Sequence, residues 1–119
     1  MQHADYLGVN RVADVMLDTP HWSGGRGSLD AFAAGLPVVT LAGCYSRGRQ
    51  TSGMLNVMGI TQLVAADAQD YVSIAVSIAN DRALRDQLSA QIRERALDRI
   101  FDQQDSVRSL GEFLRSVSE

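Results

Sequence analysis

The chain has 119 residues, which accommodates one compact domain with a hydrophobic core. Hydrophobic residues make up 45% and charged residues 21%, and this composition excludes intrinsic disorder, a collagen-like repeat and a disulfide-stabilised miniprotein. The net charge is −3 and every one of the 11 cationic side chains is arginine, so the chain lacks the basic surface typical of nucleic-acid-binding proteins.

The sequence pattern also indicates no membrane-spanning helix, no internal disulfide and no metal site. No apolar run approaches the roughly 20 residues that a membrane-spanning helix needs, and the first residues do not resemble a secretion signal. The single Cys44 excludes an internal disulfide, and neither His3 nor His21 has a partner at metal-ligand spacing. We therefore expect a soluble, cytoplasmic protein that binds no metal ion, membrane or nucleic acid.

The first third of the chain predicts a strand, a loop and a helix. Residues 12–17 are apolar and precede the turn-forming residues 18–20, which predicts a short buried strand. The glycine-rich stretch 23–27 predicts a loop. Residues 28–34 predict a helix that ends at Gly35, where a glycine commonly closes a helix.

The middle of the chain continues this alternation. Residues 38–41 predict a second strand, residues 47–58 a helix that ends at Gly59, and residues 62–65 a third strand. Strands that alternate with helices over short connections pair in parallel with right-handed crossovers. The order predicts an α/β fold with a parallel sheet.

The remainder of the chain predicts helices only. Asp67 followed by Asp70 resembles a capping box for a helix over residues 68–80, and a second helix is expected to begin near residues 80–81. A last helix over residues 104–117 has an apolar stripe, formed by Val107, Leu110, Phe113, Leu114 and Val117. No linker interrupts the sequence, so residues 1–119 are expected to form one domain.

The loop over residues 18–27 is the most informative candidate site. Ligands of open parallel sheets bind beyond the carboxyl ends of the strands, where this loop is expected to lie. Its Gly24, Gly25 and Gly27 let backbone amides approach a ligand at a helix N-terminus, which favours an anion, and Arg26 adds a positive charge. A tight connection that uses glycine for its conformational freedom is the alternative, and spacing alone does not separate the two.

Three charged side chains close to the loops are further candidates. Asp30, expected as the third residue of its helix, either stabilises the helix dipole in solvent or projects toward a ligand at the helix start. Arg47 and Arg49 are expected at the start of a helix, where the dipole disfavours cations. Their position favours a nearby anion or acidic partner, unless they are simply exposed residues of a first turn.

Three uncharged residues near the loops have structural interpretations. Trp22 is interpreted as a packed loop anchor, with a platform for substrate as the alternative. Cys44 is interpreted as a small apolar filler. Ser28 lacks the Gly-x-Ser-x-Gly pattern of a hydrolase nucleophile, so we expect no such role for it.

The stretch SLDAFAAGLPVV, residues 28–39, resembles the signature of the nucleotide-binding half of two-domain (GT-B) glycosyltransferases. More narrowly, the chain resembles the protein O-linked N-acetylglucosamine transferase family (glycosyltransferase family 41), in particular bacterial members with tetratricopeptide repeats. The matching segments are residues 13–20, 24–30, 35–41, 47–49 and 100–102, with Gly43, Gly59 and the final helix. The implied fold is the three-layer, parallel-sheet, Rossmann-like C-terminal half of such an enzyme, with extra C-terminal helices.

This resemblance implies a UDP-sugar donor, a protein acceptor, and an inverting reaction that needs no metal ion. It places the donor diphosphate at Gly25, Arg26, Gly27 and Ser28, directly after Gly24. It implies that Asp30 hydrogen-bonds the ribose hydroxyls and that a residue near Tyr6 lies against the uracil. Arg47 and Arg49 complete the expected donor-binding set, and no catalytic residue is expected within the chain.

Two departures from the family pattern shape the expected activity. The animal enzymes have His-Thr-Thr where this chain has Gly25-Arg26-Gly27, so hydroxyl contacts to the phosphates are missing and Arg26 offers a charge in their place. The N-terminal domain that carries the catalytic groups is expected to be absent from residues 1–119. We therefore expect a partial donor-binding domain that is inactive alone and self-associates through its uncovered sheet edge. The alternative is a degenerate transferase domain that acts as a protein-interaction scaffold.

Overall fold

A computed structural model of the chain describes residues 1–118. These residues form six α-helices and three β-strands, connected by short loops and two 3-10 turns. The helices are α1 (His3–Val12), α2 (Arg26–Ala34), α3 (Gln50–Met58), α4 (Ala68–Asn80), α5 (Arg82–Arg99) and α6 (Gln104–Val117). The strands are β1 (Met16–Leu17), β2 (Val38–Leu41) and β3 (Val64–Ala65).

The three strands form one parallel sheet with β2 in its centre. Met16 of β1 pairs with Val38 of β2, and Thr40 of β2 pairs with Val64 of β3. Helix α2 connects β1 to β2, and α3 connects β2 to β3. The predicted α/β fold with a parallel sheet is therefore confirmed, and the carboxyl ends of all three strands lie at one edge.

The hydrophobic core lies between the sheet and helices α2 to α5. Helix α5 contacts α2, α3 and α4, and its buried side chains repeat at near-four spacing as the sequence predicts. The largest fully buried apolar side chains are Phe32, Val38, Val39, Leu55, Met58, Ile60, Leu63, Ile78, Leu88 and Ile92. This core holds the starts of α2 and α3 in fixed positions at the edge of the sheet.

Helices α2 and α3 end where the sequence predicts. Gly35 and Gly59 have φ angles of 75° and 70°, a left-handed conformation that glycine adopts without strain. Arginines of α5 satisfy the last carbonyls of both helices: Arg93 donates to Ala34 O at 3.1 Å, and Arg95 donates to Gly59 O at 3.0 Å. Helix α5 thereby holds α2 and α3 in place, the two helices that begin at the carboxyl edge of the sheet.

The predicted N-cap of α4 is present, and α5 begins close to its predicted start with an N-cap of its own. Asp67 accepts a hydrogen bond from the Asp70 N–H at 2.8 Å, and the Asp70 side chain accepts one from the Ala66 N–H at 2.8 Å. Asp81 caps α5 by accepting from the Leu84 N–H at 3.0 Å. Each helix therefore begins where the sequence places it.

Two predicted strands are shorter than expected. Residues 12–17 were expected to form one strand, but Val12 ends helix α1 and only Met16–Leu17 pair with β2. The side chain of Asp5 accepts a hydrogen bond from the Gln2 N–H at 3.1 Å and so stabilises the start of α1. Of residues 62–65, only Val64–Ala65 are a strand, because the preceding residues complete a 3-10 turn.

Helix α6 has the predicted bounds, but its apolar stripe does not pack on the domain. None of its residues is buried, and its five large apolar side chains are 53% to 67% exposed.

Within residues 1–118, no helix combines the length and the apolar character required to cross a membrane.

Candidate functional site

A buried carboxylate directly after β1 forms the centre of the candidate site. Asp18 is only 3% exposed. Its Oδ2 accepts hydrogen bonds from Ser23 Oγ at 2.6 Å and Thr40 Oγ1 at 2.8 Å, and its Oδ1 accepts one from the Gly24 N–H at 2.7 Å. Hydrogen bonds to an ionised group are stronger than neutral ones. Asp18 therefore fixes the loop between β1 and α2 and fastens it to β2.

A chain of buried hydroxyls connects this loop to the starts of α2 and α3. Ser23 Oγ also accepts a hydrogen bond from the Thr51 N–H at 2.9 Å, and Thr51 Oγ1 lies 2.7 Å from Ser28 Oγ. The Thr51 hydroxyl donates to Gly24 O at 3.1 Å. Ser28 and Thr51 are fully buried. The Ser28 hydroxyl is thus occupied by a hydrogen bond inside the protein. Only the backbone N–H of Ser28 remains as a donor at the helix start.

The N-terminus of α2 leaves backbone donors open. Gly25 is the N-cap residue and no side chain caps the helix. Among residues 1–118, no acceptor receives a hydrogen bond from the N–H groups of Gly25, Arg26, Gly27 or Ser28. The Gly24 N–H, which the sequence places in the same open set, is instead bound to Asp18. Open N–H groups and the helix dipole together favour an anion at this point.

Helix α2 begins earlier than the sequence indicates. The prediction placed its start at Ser28, but the helix begins at Arg26, because the buried network below it holds Gly24 and orients the following residues. Arg26 and Gly27 therefore belong to the first turn. Asp30 is the fifth helical residue and not the third as predicted.

Arg26 and Asp30 lie one turn apart at the start of α2. The Arg26 Nε is 4.0 Å from Asp30 Oδ2, with the Arg26 side chain 81% exposed and that of Asp30 22% exposed. An ion pair this exposed contributes little to stability. The Arg26 guanidinium is therefore accessible to a ligand at the helix start, whereas the Asp30 carboxylate is mostly covered.

Tyr6 of α1 is placed against the same helix start. A Cβ atom at Gly27 would lie 3.4 Å from the Tyr6 hydroxyl, so the two residues are close neighbours. The half-buried Tyr6 ring stacks on His3, with ring centroids 6.3 Å apart. The structure thus brings Tyr6 together with Gly27 at the start of α2.

The loop after β2 brings Arg47 to the site. The Ser23 N–H donates to Arg47 O at 2.7 Å, and the Arg47 guanidinium lies 6.0 Å from the Trp22 ring centroid and 5.1 Å from that of Tyr45. Arg49 contacts its own loop, donating to Gly43 O at 3.2 Å. Arg47 therefore adjoins the Asp18 loop directly, whereas Arg49 stabilises the neighbouring turn.

The interpretations of Trp22 and Cys44 are wrong. Trp22 is 71% exposed and stacks on Arg47, so it is not a packed anchor. Cys44 is exposed and fills no apolar space. For Cys44, the reason is the close approach of Gly43 and Gly48, whose backbones are joined by a hydrogen bond of 2.9 Å from the Gly43 N–H to Gly48 O. This contact directs the residues between the two glycines outward.

Tyr71 of α4 fixes the other side of the Asp18 loop. Its hydroxyl donates to the backbone oxygen of Asp18 at 2.8 Å. Burial raises the pKa of the Tyr71 hydroxyl above its ordinary value of 10.0, and the nearby Asp18 carboxylate raises it further. The neutral hydroxyl is thus the form that the folded protein favours.

Sequence reasoning missed the residues that support the site. Asp18 was interpreted only as part of a turn, and Ser23, Thr40, Thr51 and Tyr71 were not singled out. One signal was available, since Thr40 is a hydroxyl residue within a strand that is otherwise apolar and buried.

Among residues 1–118, no three His, Cys, Asp or Glu side chains lie close enough together to hold a metal ion.

The close contacts of Gly24 generate a first prediction. A Cβ at position 24 would lie 2.7 Å from Ser28 Oγ and 3.4 Å from Asp18 Oδ1, which are hydrogen-bonded to Thr51 Oγ1 and to the Gly24 N–H respectively. We expect Gly24→Ala to lower the free energy of unfolding by about 1–3 kcal/mol. Gly53→Ala, inside α3 with no atom within 4 Å, should instead stabilise by about 0.5–1 kcal/mol. Urea unfolding measures both, and a neutral Gly24→Ala would contradict the geometry.

The Tyr71 hydrogen bond predicts an alkaline loss of stability. A hydroxyl whose pKa is higher in the folded than in the unfolded state contributes its full stabilisation below the unfolded-state pKa, near 10.0. This contribution is lost as the pH rises through the folded-state pKa. Tyr71→Phe should lower the free energy of unfolding at neutral pH, and its difference from the unmodified chain should shrink above about pH 10. Tyr45→Phe, at a ring that is 69% exposed, is the control. An unchanged difference across this range would refute the assigned contact.

Comparison with known proteins gives this geometry its context. The family model described as Glycosyl transferase family 41 matches residues 3–110. The chain is 27% identical over 114 residues to the probable UDP-N-acetylglucosamine–peptide N-acetylglucosaminyltransferase SPINDLY of Hordeum vulgare, covering 95% of this chain and 12% of that protein. It is 38% identical over 71 residues to the UDP-N-acetylglucosamine–peptide N-acetylglucosaminyltransferase of Caenorhabditis elegans, covering 60% of this chain and 6% of that protein.

A solved structure shows the same fold. A mutant O-GlcNAc transferase of Thermobaculum terrenum superposes with a TM-score of 0.86 and 32% sequence identity, over 98% of this chain and 22% of that one. The chain therefore spans between 6% and 22% of the length of these relatives. The predicted GT-B type of α/β fold is confirmed. Since the family model covers most of its length, this chain belongs to glycosyl transferase family 41.

Proposed function

We propose that this chain supplies the UDP-binding part of the donor site in an enzyme that transfers N-acetylglucosamine from UDP to protein side chains. Several relatives are named as UDP-N-acetylglucosamine–peptide N-acetylglucosaminyltransferases. One observation carries the proposal. The four N–H groups from Gly25 to Ser28 have no protein acceptor among the described residues, and they begin a helix at the carboxyl edge of a parallel sheet.

The donor diphosphate fits this helix start by charge and by shape. Its anionic oxygens would accept hydrogen bonds from the open N–H groups in the favourable field of the α2 dipole. Gly25 has no atom within 4 Å of the place that a Cβ would occupy, so the approach is unobstructed. The exposed Arg26 guanidinium supplies a positive charge within the same turn. We propose that the dipole and Arg26 neutralise the diphosphate without a metal ion.

The nucleoside would extend from the phosphates toward Asp30 and Tyr6. The Asp30 carboxylate keeps 22% of its side chain exposed and accepts hydrogen bonds only, which would suit the two ribose hydroxyls. The Tyr6 ring, next to Gly27, offers a flat surface to the uracil. Arg47, held above Trp22 and Tyr45, would add a cation beside the loop.

Sugar transfer requires a second binding surface. The donor and an acceptor protein must be held together with their reacting atoms aligned, and the residues described here account for donor contacts only. We propose that residues 1–119 alone bind the nucleotide but transfer no sugar. An acceptor side chain and the catalytic groups would come from another part of the full enzyme.

Nucleotide binding tests this proposal. We expect UDP to bind more tightly than dUDP by about ten- to a hundredfold, because dUDP lacks one ribose hydroxyl that Asp30 would bind. Asp30→Ala should remove this preference, and Arg26→Ala should weaken both nucleotides alike. NMR titration of backbone amides measures the affinities, and the perturbed signals should cluster at residues 24–30.

Matched controls for this titration lie on α5. Arg82 and Asp86 form an exposed pair with the same spacing of four residues and a separation of 3.9 Å. Arg82→Ala and Asp86→Ala should leave both affinities unchanged. Perturbations that do not cluster at residues 24–30, or a preference for UDP that survives Asp30→Ala, would refute the donor-site assignment. Complete absence of nucleotide binding would favour a scaffold role for the domain.

A further inference from the structure

Trp22 presents an exposed ring on a backbone that is held in place. The residue is 71% exposed. The Thr19 hydroxyl donates a hydrogen bond to Trp22 O, and the N–H of the next residue, Ser23, donates to Arg47 O at 2.7 Å. The preceding His21 has a φ angle of 69°, a left-handed conformation that is uncommon for a residue with a side chain. The exposure of Trp22 therefore results from a defined turn and not from a loose loop end.

One face of the Trp22 ring is occupied and the other is open. The Arg47 guanidinium lies over the ring, 6.0 Å from its centroid, and lies 5.1 Å from the centroid of the Tyr45 ring. Because Arg47 takes one face and the residue is still 71% exposed, the opposite face of the indole is free. An indole with a free face offers a flat apolar surface, and its N–H can donate a hydrogen bond at the edge.

This open ring lies close to the proposed diphosphate site. Trp22 precedes Gly25 by three residues, so their Cα atoms are at most about 11 Å apart. The residues between them are bound to the Asp18 carboxylate, which fixes this separation. In the proposed donor site, the nucleoside extends from the phosphates along α2 toward Asp30. The group on the second phosphate would then leave on the other side, toward the loop that carries Trp22.

The chemistry of a sugar ring suits this surface. One face of a pyranose ring consists of C–H groups, and the hydroxyls are arranged around its rim. Stacking on an indole removes the C–H face from water and leaves the hydroxyls free to form hydrogen bonds. The covalent link to the diphosphate also brings the sugar to this place whenever the nucleotide is bound. That link favours the sugar over a further protein segment as the group that covers the ring.

We propose that Trp22 is the platform for the sugar ring of the donor, which stacks on the indole face opposite Arg47. This inference rests on the proposed function and adds a residue that recognises the transferred group. In this arrangement Trp22 contacts the sugar and not the phosphates. Binding of a UDP-sugar therefore depends on the ring of Trp22, whereas binding of UDP does not.

The fluorescence of the chain tests this contact directly, because Trp22 is its only tryptophan. Saturating UDP-N-acetylglucosamine should reduce the quenching of this fluorescence by acrylamide, since the sugar covers the open face. Saturating UDP should leave the quenching nearly unchanged. Equal quenching in the two complexes would overturn the proposal.

Variants measured by isothermal titration calorimetry separate the sugar from the phosphates. Trp22→Ala should weaken the binding of UDP-N-acetylglucosamine by about five- to thirtyfold and leave the affinity for UDP within about twofold. Trp22→Phe keeps a flat ring and should retain most of the affinity for the UDP-sugar. Tyr45→Ala is the control, because it removes the other ring that contacts Arg47. It should change both affinities by the same factor.

The outcomes distinguish the platform from the donor site itself. If Trp22→Ala weakened UDP and UDP-N-acetylglucosamine alike, Trp22 would act only by holding Arg47, and the platform would be overturned while the donor site remained. Absence of UDP binding by the unmodified chain would refute the proposed function and the platform with it. Circular dichroism should show Trp22→Ala folded, because the Trp22 side chain is exposed and lies outside the hydrophobic core.

Discussion

The carboxylate of Asp18 is the interaction on which the candidate site depends. A charge that is almost excluded from water is costly unless its oxygens receive hydrogen bonds, and here the donors are Ser23, Gly24 and Thr40. These donors lie in the loop and in the central strand. Their convergence on one side chain fixes where the loop ends and therefore where α2 begins. The N–H groups after Gly24 remain open because the network stops there.

Different side chains of the site therefore support its backbone and lie at its surface. Buried hydroxyls such as those of Ser28 and Thr51 are used within the protein, whereas Arg26 and Asp30 make only a loose, exposed ion pair. The animal enzymes that this chain resembles are expected to have His-Thr-Thr at the helix start, where this chain has Gly25-Arg26-Gly27. In the proposed donor site, backbone donors and one arginine would bind the phosphates, a set that depends strongly on the position of the backbone. The buried carboxylate that fixes this backbone would therefore govern phosphate binding.

Local patterns in the sequence predicted the elements but not the network. Gly35 ends α2 and Asp67 begins α4 as expected, because each depends on residues within one turn. Helix α1 was missed, because its polar residues and Gly8 give no apolar period. Asp18 contacts residues as far away as Thr40, and no local spacing predicts such a contact. The stripe of α6 was predicted correctly as a pattern, but only the structure shows that it is uncovered.

Residue-by-residue amide hydrogen exchange tests most directly whether Asp18 leaves an open helix start. The Gly24 N–H should exchange slowly because it is bound to Asp18, whereas the N–H groups of Gly25, Arg26 and Gly27 should exchange nearly as fast as in an unfolded peptide. Addition of UDP should slow exchange in the second group and leave Gly24 unchanged. Slow exchange at residues 25–27 without nucleotide, or fast exchange at Gly24, would contradict this account.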